Sequence, residues 1–242
     1  AELSNDRVNA GNADLQPQRA WELRLTADRK VLGDGLAKLE LGYDHISMLQ
    51  DRILVFDEDG RGFDAPGNLG TGKRIFARGS LDAPLETLIG LSGTRLKASV
   101  MVQRTRVEDP ISGEMRSFSG FYPDWQWGVE MRRDVGKWSY GFSLNDRDRF
   151  TFFRTNEFDI NWNGGPYATA FVEYRPAEKT SVILDVDNLL NTRGLRLREL
   201  YFPNRADPDV ALDEFRERNR HPVVTLTFKQ GFGGGGNGGG GS

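Results

Sequence analysis

Val223-Val224-Thr225-Leu226-Thr227-Phe228-Lys229 alternates: Val224, Leu226 and Phe228 are interleaved with Val223, Thr225, Thr227 and Lys229, and Phe232 follows in the same phase. Successive side chains of a strand point to opposite faces, so this stretch presents one apolar and one polar face. The same two-residue beat runs back through the chain. Trp21, Leu23, Leu25 and Ala27 oppose Glu22, Arg24, Thr26 and Asp28; Ala37, Leu39, Leu41 and Tyr43 oppose Lys38, Glu40, Gly42 and Asp44. Ile75, Ala77, Gly79 and Leu81 then oppose Arg74, Arg78, Ser80 and Asp82, and Leu96, Ala98, Val100 and Val102 oppose Lys97, Ser99 and Gln103. Trp125, Trp127, Val129 and Met131 face away from Gln126, Gly128, Glu130 and Arg132. Trp138, Tyr140, Phe142 and Leu144 stand against Ser139, Gly141, Ser143 and Asn145. Ala168, Ala170, Val172 and Tyr174, then Val182, Leu184 and Val186, complete nine strands with the one quoted first.

The connections alternate too. Leu32 to Gly35, Val135-Gly136 and Arg175 to Glu178 are short, with Gly and Asp where tight hairpins need positive φ. Between them lie long polar links: Asp57 to Thr71, Glu108 to Ser119, Thr155 to Pro166 and Asn191 to Arg220, with a middling one from Pro84 to Gly93. Short turns at one end and long loops at the other are the habit of an outer-membrane β-barrel. Trp21, Trp125, Trp127, Trp138, Tyr140 and Tyr174 fit the aromatic girdles such barrels carry at the two water interfaces. The expected fold is therefore all-β, an antiparallel up-and-down transmembrane barrel wall.

Composition is compatible with that. The chain has 242 residues, 38% of them hydrophobic, and no run long enough for a membrane-spanning helix. A barrel strand needs apolar residues only at alternate positions, so a mean hydropathy of −0.54 does not count against it. The net charge of −3, with both signs interleaved, gives no basic footprint for nucleic acid. The absence of cysteine excludes disulfides and thiolate metal sites.

Other motifs offer little chemistry. Gly67-Asn68-Leu69-Gly70-Thr71-Gly72-Lys73 imitates the start of a phosphate-binding loop, but Arg74 stands where Ser or Thr is required and a strand follows. Asp57-Glu58-Asp59-Gly60 lacks the ligand spacing of a calcium loop. Asp185 and Asp187 share a face with no histidine nearby in sequence, which reads as a charged lumen. His45 and His221 are the only histidines, too few for a histidine-rich metal cluster. No nucleophile, base and orienting group combine, so the expectation is no catalytic residue, no metal and no cofactor. Among loop aromatics, Phe63, Phe118, Tyr122, Phe158 and Trp162 either touch a ligand or pack the loops.

Three stretches carry a family resemblance. Gly11-Asn12-Ala13-Asp14-Leu15-Gln16-Pro17-Gln18 resembles the "GN-x-x-L-x-PE" run into a mid-barrel strand of TonB-dependent outer-membrane receptors, with Gln18 in place of Glu. Val186-Asp187-Asn188-Leu189-Leu190-Asn191 resembles the family's "V-x-NLF-[DN]" end of the penultimate strand, with Leu190 in place of Phe. Val224, Leu226, Phe228 and Phe232 resemble the closing strand read by the barrel-assembly machinery. The resemblance spans about Gly11 to Phe232 and implies a 22-stranded barrel around a plug. Nine strands would be its C-terminal part, leaving thirteen strands, the plug and the TonB contact to a separate or missing segment. Residues 1–17 would then be an extracellular loop, 18–232 barrel strands and loops, and 233–242 a Gly-rich flexible tail. The implied function is energised uptake of a ligand such as a siderophore, cobalamin or saccharide across the outer membrane of a Gram-negative bacterium, with lipid, TonB and the imported molecule as partners. Two alternatives stay open: a soluble or surface β-sandwich that binds carbohydrate or protein, and a plug-less porin or autotransporter-type barrel.

Overall fold

The computed structural model describes residue 12, residues 14–56, 62–207 and 209–231. Phe232, the Gly-rich tail, Asp57-Glu58-Asp59-Gly60, and Gly11 and Ala13 of the first motif lie outside these residues, as does the side chain of Phe63.

The chain is all-β with antiparallel sheets. Nine long strands form one continuous meander: β1 (Arg19–Val31), β2 (Gly35–Ser47), β5 (Gly72–Pro84), β6 (Thr94–Glu108), β8 (Trp125–Val135), β9 (Trp138–Arg147), β12 (Tyr167–Ala177), β13 (Thr180–Asp187) and β16 (Val223–Gln230). These are the nine strands the alternation predicts. Each pairs with the next, and β1 and β16 are left as open edges, so the described residues form no closed barrel.

The long links, expected as polar loops, contain strands of their own. β3 (Gln50–Phe56) and β4 (Gly62–Asn68) make a hairpin between β2 and β5, and the short β7 (Met115–Arg116) pairs with β6. β10 (Phe150–Phe153), β11 (Glu157–Asn163), β14 (Gly194–Tyr201) and β15 (Val210–Arg218) form a second antiparallel sheet. All of these stand at one end of the meander. Among the described residues the opposite end carries tight turns and a single helical turn, α1 (Glu86–Ile89). The turn after β12 lies later than expected, because β12 runs through a bulge to Ala177 before meeting Thr180.

Register aligns the apolar phase across all nine strands. Leu25, Leu41, Ala77, Val102 and Trp125 lie in one cross-strand row. Met131, Phe142, Ala170, Val186 and Val224 form another, and Trp138, Tyr174, Val182 and Phe228 a third at the tight-turn end. Along β5 the run from Ile75 to Ala83 covers about 27 Å at ~3.4 Å per residue, close to the ~25 Å apolar band of a membrane barrel. This face stays open. Trp21 is 81% exposed, Leu23 70%, Ile75 62%, Leu226 71% and Phe228 66%.

The burial of the opposite phase inverts the habit of a water-soluble protein. Asp44, Gln103, Thr105, Ser139 and Ser181 are buried, and among the described residues more polar than apolar side chains are buried. The apolar core sits beneath the loop hairpins, where Ile46, Leu49, Leu69, Val107 and Phe118 pack together with Ile53 against them.

Two phenylalanines break the alternation by occupying the polar phase. Phe76 pairs across strands with Gly42, and a Cβ at Gly42 would come within 2.2 Å of the Phe76 ring. Phe171 pairs with Gly141 in the same way, a Cβ there falling 2.9 Å from the ring. Each ring covers backbone that its glycine leaves bare, so both breaks are packing solutions.

The "NLL" turn has its own anchor. Asn188 is 1% exposed with φ 52°. Its Oδ1 accepts from the Thr192 N–H at 2.8 Å, and its Nδ2 donates to the carbonyls of Thr192 (3.1 Å) and Arg220. Asn tolerates this left-handed backbone where a branched residue does not. Asn188→Leu should therefore lower stability by about 2–4 kcal/mol, from unpaired buried polar groups plus backbone strain. The midpoint of urea unfolding followed by tryptophan fluorescence reads this directly.

Candidate functional site

Three features occupy the polar face and the loop end. The first is a charge cluster on β1, β2 and β5. Arg24 pairs with Asp44 at 2.5 Å and with Glu22 at 3.3 Å; Arg74 reaches Asp44 at 3.6 Å, and Arg78 reaches Glu40 at 3.2 Å. The guanidinium carbons of Arg24, Arg74 and Arg78 stand 4.9, 4.5 and 5.5 Å from the centre of the Phe76 ring. The alternation places these charges on one face, and the Gly42–Phe76 pair gives their stems an apolar plate to lie on.

The second is a buried lock joining the loop segments. Asp109, just past the end of β6, is 2% exposed and bonds to Arg205, from the β14–β15 link, at 2.8 Å and to Arg116 of β7 at 2.6 Å. Arg116 also holds Asp51 of β3 at 2.9 Å. The Arg205 Nε donates to the Arg154 carbonyl, and its guanidinium lies 4.8 Å from the Phe158 ring centre. Thr155 donates its N–H at 2.8 Å, and its hydroxyl, to Asp64 of β4. Burial alone would push the Asp109 carboxyl up; hydrogen bonds from Arg205 and from the N–H groups of Ile111 and Ser112 outweigh it and hold it below the usual carboxylate range. The N-terminal stretch is tied to the same collar. Gln16 and Asn68 exchange hydrogen bonds of 2.8 and 2.9 Å, and the Asn12 Nδ2 donates to the Pro66 carbonyl at 3.0 Å.

The third is a cleft of about 810 Å³ between the end of β9 and the second sheet, walled by arginine and aromatic side chains. Within it Arg196 grips Asp159 through two bonds of 2.7 and 2.6 Å. Burial would raise the Asp159 carboxyl, but Arg196 outweighs it and keeps Asp159 below its ordinary range. Beside it Arg198 bridges Glu157 at 2.6 Å and Glu214 at 2.8 Å. This ladder fixes the second sheet by side chains as well as backbone.

The loop aromatics divide. Phe118 is 3% exposed and belongs to the apolar core, edge-on to Tyr122 at 5.4 Å, so it packs the loops and offers no surface to a ligand. Tyr122 is 37% exposed, and Arg74 lies 6.0 Å from its ring centre. Phe158 packs between Phe153 and Tyr201. Trp162 lines the cleft, 6.2 Å from Phe215. Phe63 lies on β4 opposite Val55. Of the girdle residues, Trp21 and Trp125 stand at the loop end with Trp127 one row inward; Trp138 and Tyr174 stack at 4.6 Å at the tight-turn end, with Tyr140 one row inward. Asp187 accepts from the Tyr167 hydroxyl at 2.6 Å, and among the described residues it forms no ion pair. Arg205, Asp109 and the arginines of the cleft carry no local signal in the sequence, because each site joins segments far apart in the chain.

The fold and site define an antiparallel all-β chain with an exposed apolar face, a charged opposite face and a locked loop collar. No family model matches the chain, and no curated protein or solved structure matches it either.

Proposed function

We propose that this chain is the C-terminal wall of a TonB-dependent outer-membrane receptor, contributing to the energised uptake of a specific ligand. The observation that carries this reading is the apolar face: it runs in register across nine strands, is the more exposed face, and has aromatics near both ends. Exposed apolar area of this extent has no stable place in water. A sandwich would bury the face under a second sheet, whereas here its side chains stay open.

The open edges support the same reading. Nine antiparallel strands leave β1 and β16 running in the same direction. Closing the meander on itself would require a parallel seam. An all-antiparallel ring instead needs an odd number of further strands, and the thirteen of a 22-stranded receptor satisfy that. Unpaired edges are costly in lipid, so those strands are the first partner the wall requires. The charged face would then line the lumen and seat a plug, and the hairpin-bearing links would form the external collar. Energy would come through TonB from the inner-membrane proton gradient, so the wall needs no catalytic residue.

The test is fractionation of source cells, followed by crosslinking. The reading expects the protein only in the detergent-extracted outer membrane, with TonB crosslinked to the full-length product. Recovery as a monodisperse soluble protein, or an outer-membrane barrel that never captures TonB, contradicts it.

A further inference from the structure

The cleft beside β9 holds more positive charge than its own carboxylates can neutralise. Arg147, Arg196, Arg216, Arg218 and Arg220 line it, against Asp159 and Glu217. Asp159 is taken by Arg196, and Glu217 is held by Arg193 at 2.6 Å. Arg216 is satisfied by Glu214 at 2.6 Å. Arg147, Arg218 and Arg220 therefore have no ion-pair partner among the described residues. The Nε of Arg147 is buried without an acceptor, while its guanidinium stands 4.9 Å from the Phe121 ring centre and 5.5 Å from that of Phe150. The like charge of Arg220 bears on it as well, partly offset by the neighbouring Asp146.

A guanidinium whose Nε is buried without an acceptor and that has a like-charged neighbour carries an electrostatic cost, and an anion between the two arginines relieves both penalties. Guanidinium groups suit carboxylate and phosphate oxygens because their planar forks bind two oxygens at once. The volume lies within the ~300–1,000 Å³ of small-molecule sites. Phe150, Phe152, Trp162 and Phe215 supply apolar wall for a carbon body.

We propose that this cleft binds a small polyanion, a molecule bearing two or more carboxylate or phosphate groups, with Arg147 and Arg220 as its principal contacts and Arg218 as a third. That the bound molecule is the cargo rests on the uptake reading; that the cleft holds polyanions is measured apart from it.

The experiment is calorimetric titration of the protein, purified from its source cells in detergent, with three probes. Benzene-1,3,5-tricarboxylate and inorganic pyrophosphate separate carboxylate from phosphate recognition, and 1,3,5-tris(hydroxymethyl)benzene is the uncharged comparison. At least one polyanion should bind, more weakly as salt rises, and the triol should not. Arg147→Gln and Arg220→Gln should each weaken binding about tenfold or more, with Arg220→Lys intermediate. Arg95→Gln, at the tight-turn end and outside the cleft, where Asp82 and Asp34 hold the guanidinium, should change it little. Unchanged thermal melting of each variant separates lost contacts from lost folding; should a glutamine variant fail to fold, the lysine variant and the salt series decide. No binding by either polyanion, or binding indifferent to both glutamine substitutions, overturns the proposal. Polyanion binding by a protein found soluble would refute uptake and spare the site; outer-membrane residence without polyanion binding would do the reverse.

Discussion

Arg205→Leu is expected to cost about 3–5 kcal/mol, the usual penalty for removing one partner of a buried ion pair. The Arg205 side chain is only 3% exposed, and its removal takes two hydrogen bonds from Asp109 and one from the Arg154 carbonyl. Asp109 keeps Arg116 at 2.6 Å and the N–H groups of Ile111 and Ser112 at 2.9 and 3.1 Å, which places the loss at the lower end of that range. The loss should be local. The links holding β7, β10–β11 and β14–β15 should become cleavable by trypsin while the meander keeps its strand content. Arg205→Lys should be milder, retaining charge without the fork. Acid should open the collar of the native protein in the same places. Because the folded Asp109 carboxyl lies below its unfolded value, its contribution is complete above about pH 4 and is lost as pH falls toward the folded value. Limited proteolysis across pH 7 to 3 reads both effects. Unchanged cleavage in Arg205→Leu would mean that the lock holds nothing.

Leu184→Arg should sharply reduce the amount of protein assembled in the membrane, while Thr225→Arg leaves it nearly unchanged. Leu184 is 44% exposed on the apolar face, with Val172 and Leu226 as its cross-strand neighbours. An arginine there costs about 2–4 kcal/mol if that face meets lipid at midplane. Thr225 lies on the other face of β16, opposite Asp185, where an arginine gains a carboxylate neighbour. Ser139 is a poor control for this comparison despite its polar phase, because it is 1% exposed and bonded to Asp134. Equal losses at positions 184 and 225 would argue against lipid on one face only.

The nine long strands were legible because a half-buried sheet enforces period two on its residues, and register then carries the pattern sideways. The extra strands were legible only in part. Gly194–Tyr201 does alternate, with Leu195 and Leu197 between Arg196 and Arg198, and could have been read as a strand. Ile53-Leu54-Val55-Phe56 is apolar without interruption, and Val210–Arg218 mixes its phases, so neither announces a face. Phe76 and Phe171 contradict the pattern for a reason visible only once Gly42 and Gly141 are known to lie across from them. The lock was beyond any local reading, since Asp109 and Arg205 are 96 residues apart. The cleft draws on β9, β14, β15 and the residues beyond, and its uncompensated charge emerges only after each carboxylate has been assigned a partner.

The most direct test of the central claim, that one face of the sheet meets lipid and the other water, is a nitroxide scan along β16. The chain has no cysteine, so single cysteines at positions 223 to 230 can be labelled without background. In native outer membranes, collision with dissolved oxygen should peak at positions 224, 226 and 228, and collision with a water-soluble nickel complex at 223, 225, 227 and 229. Collision rates that do not alternate, or that alternate in the opposite phase, would contradict the account.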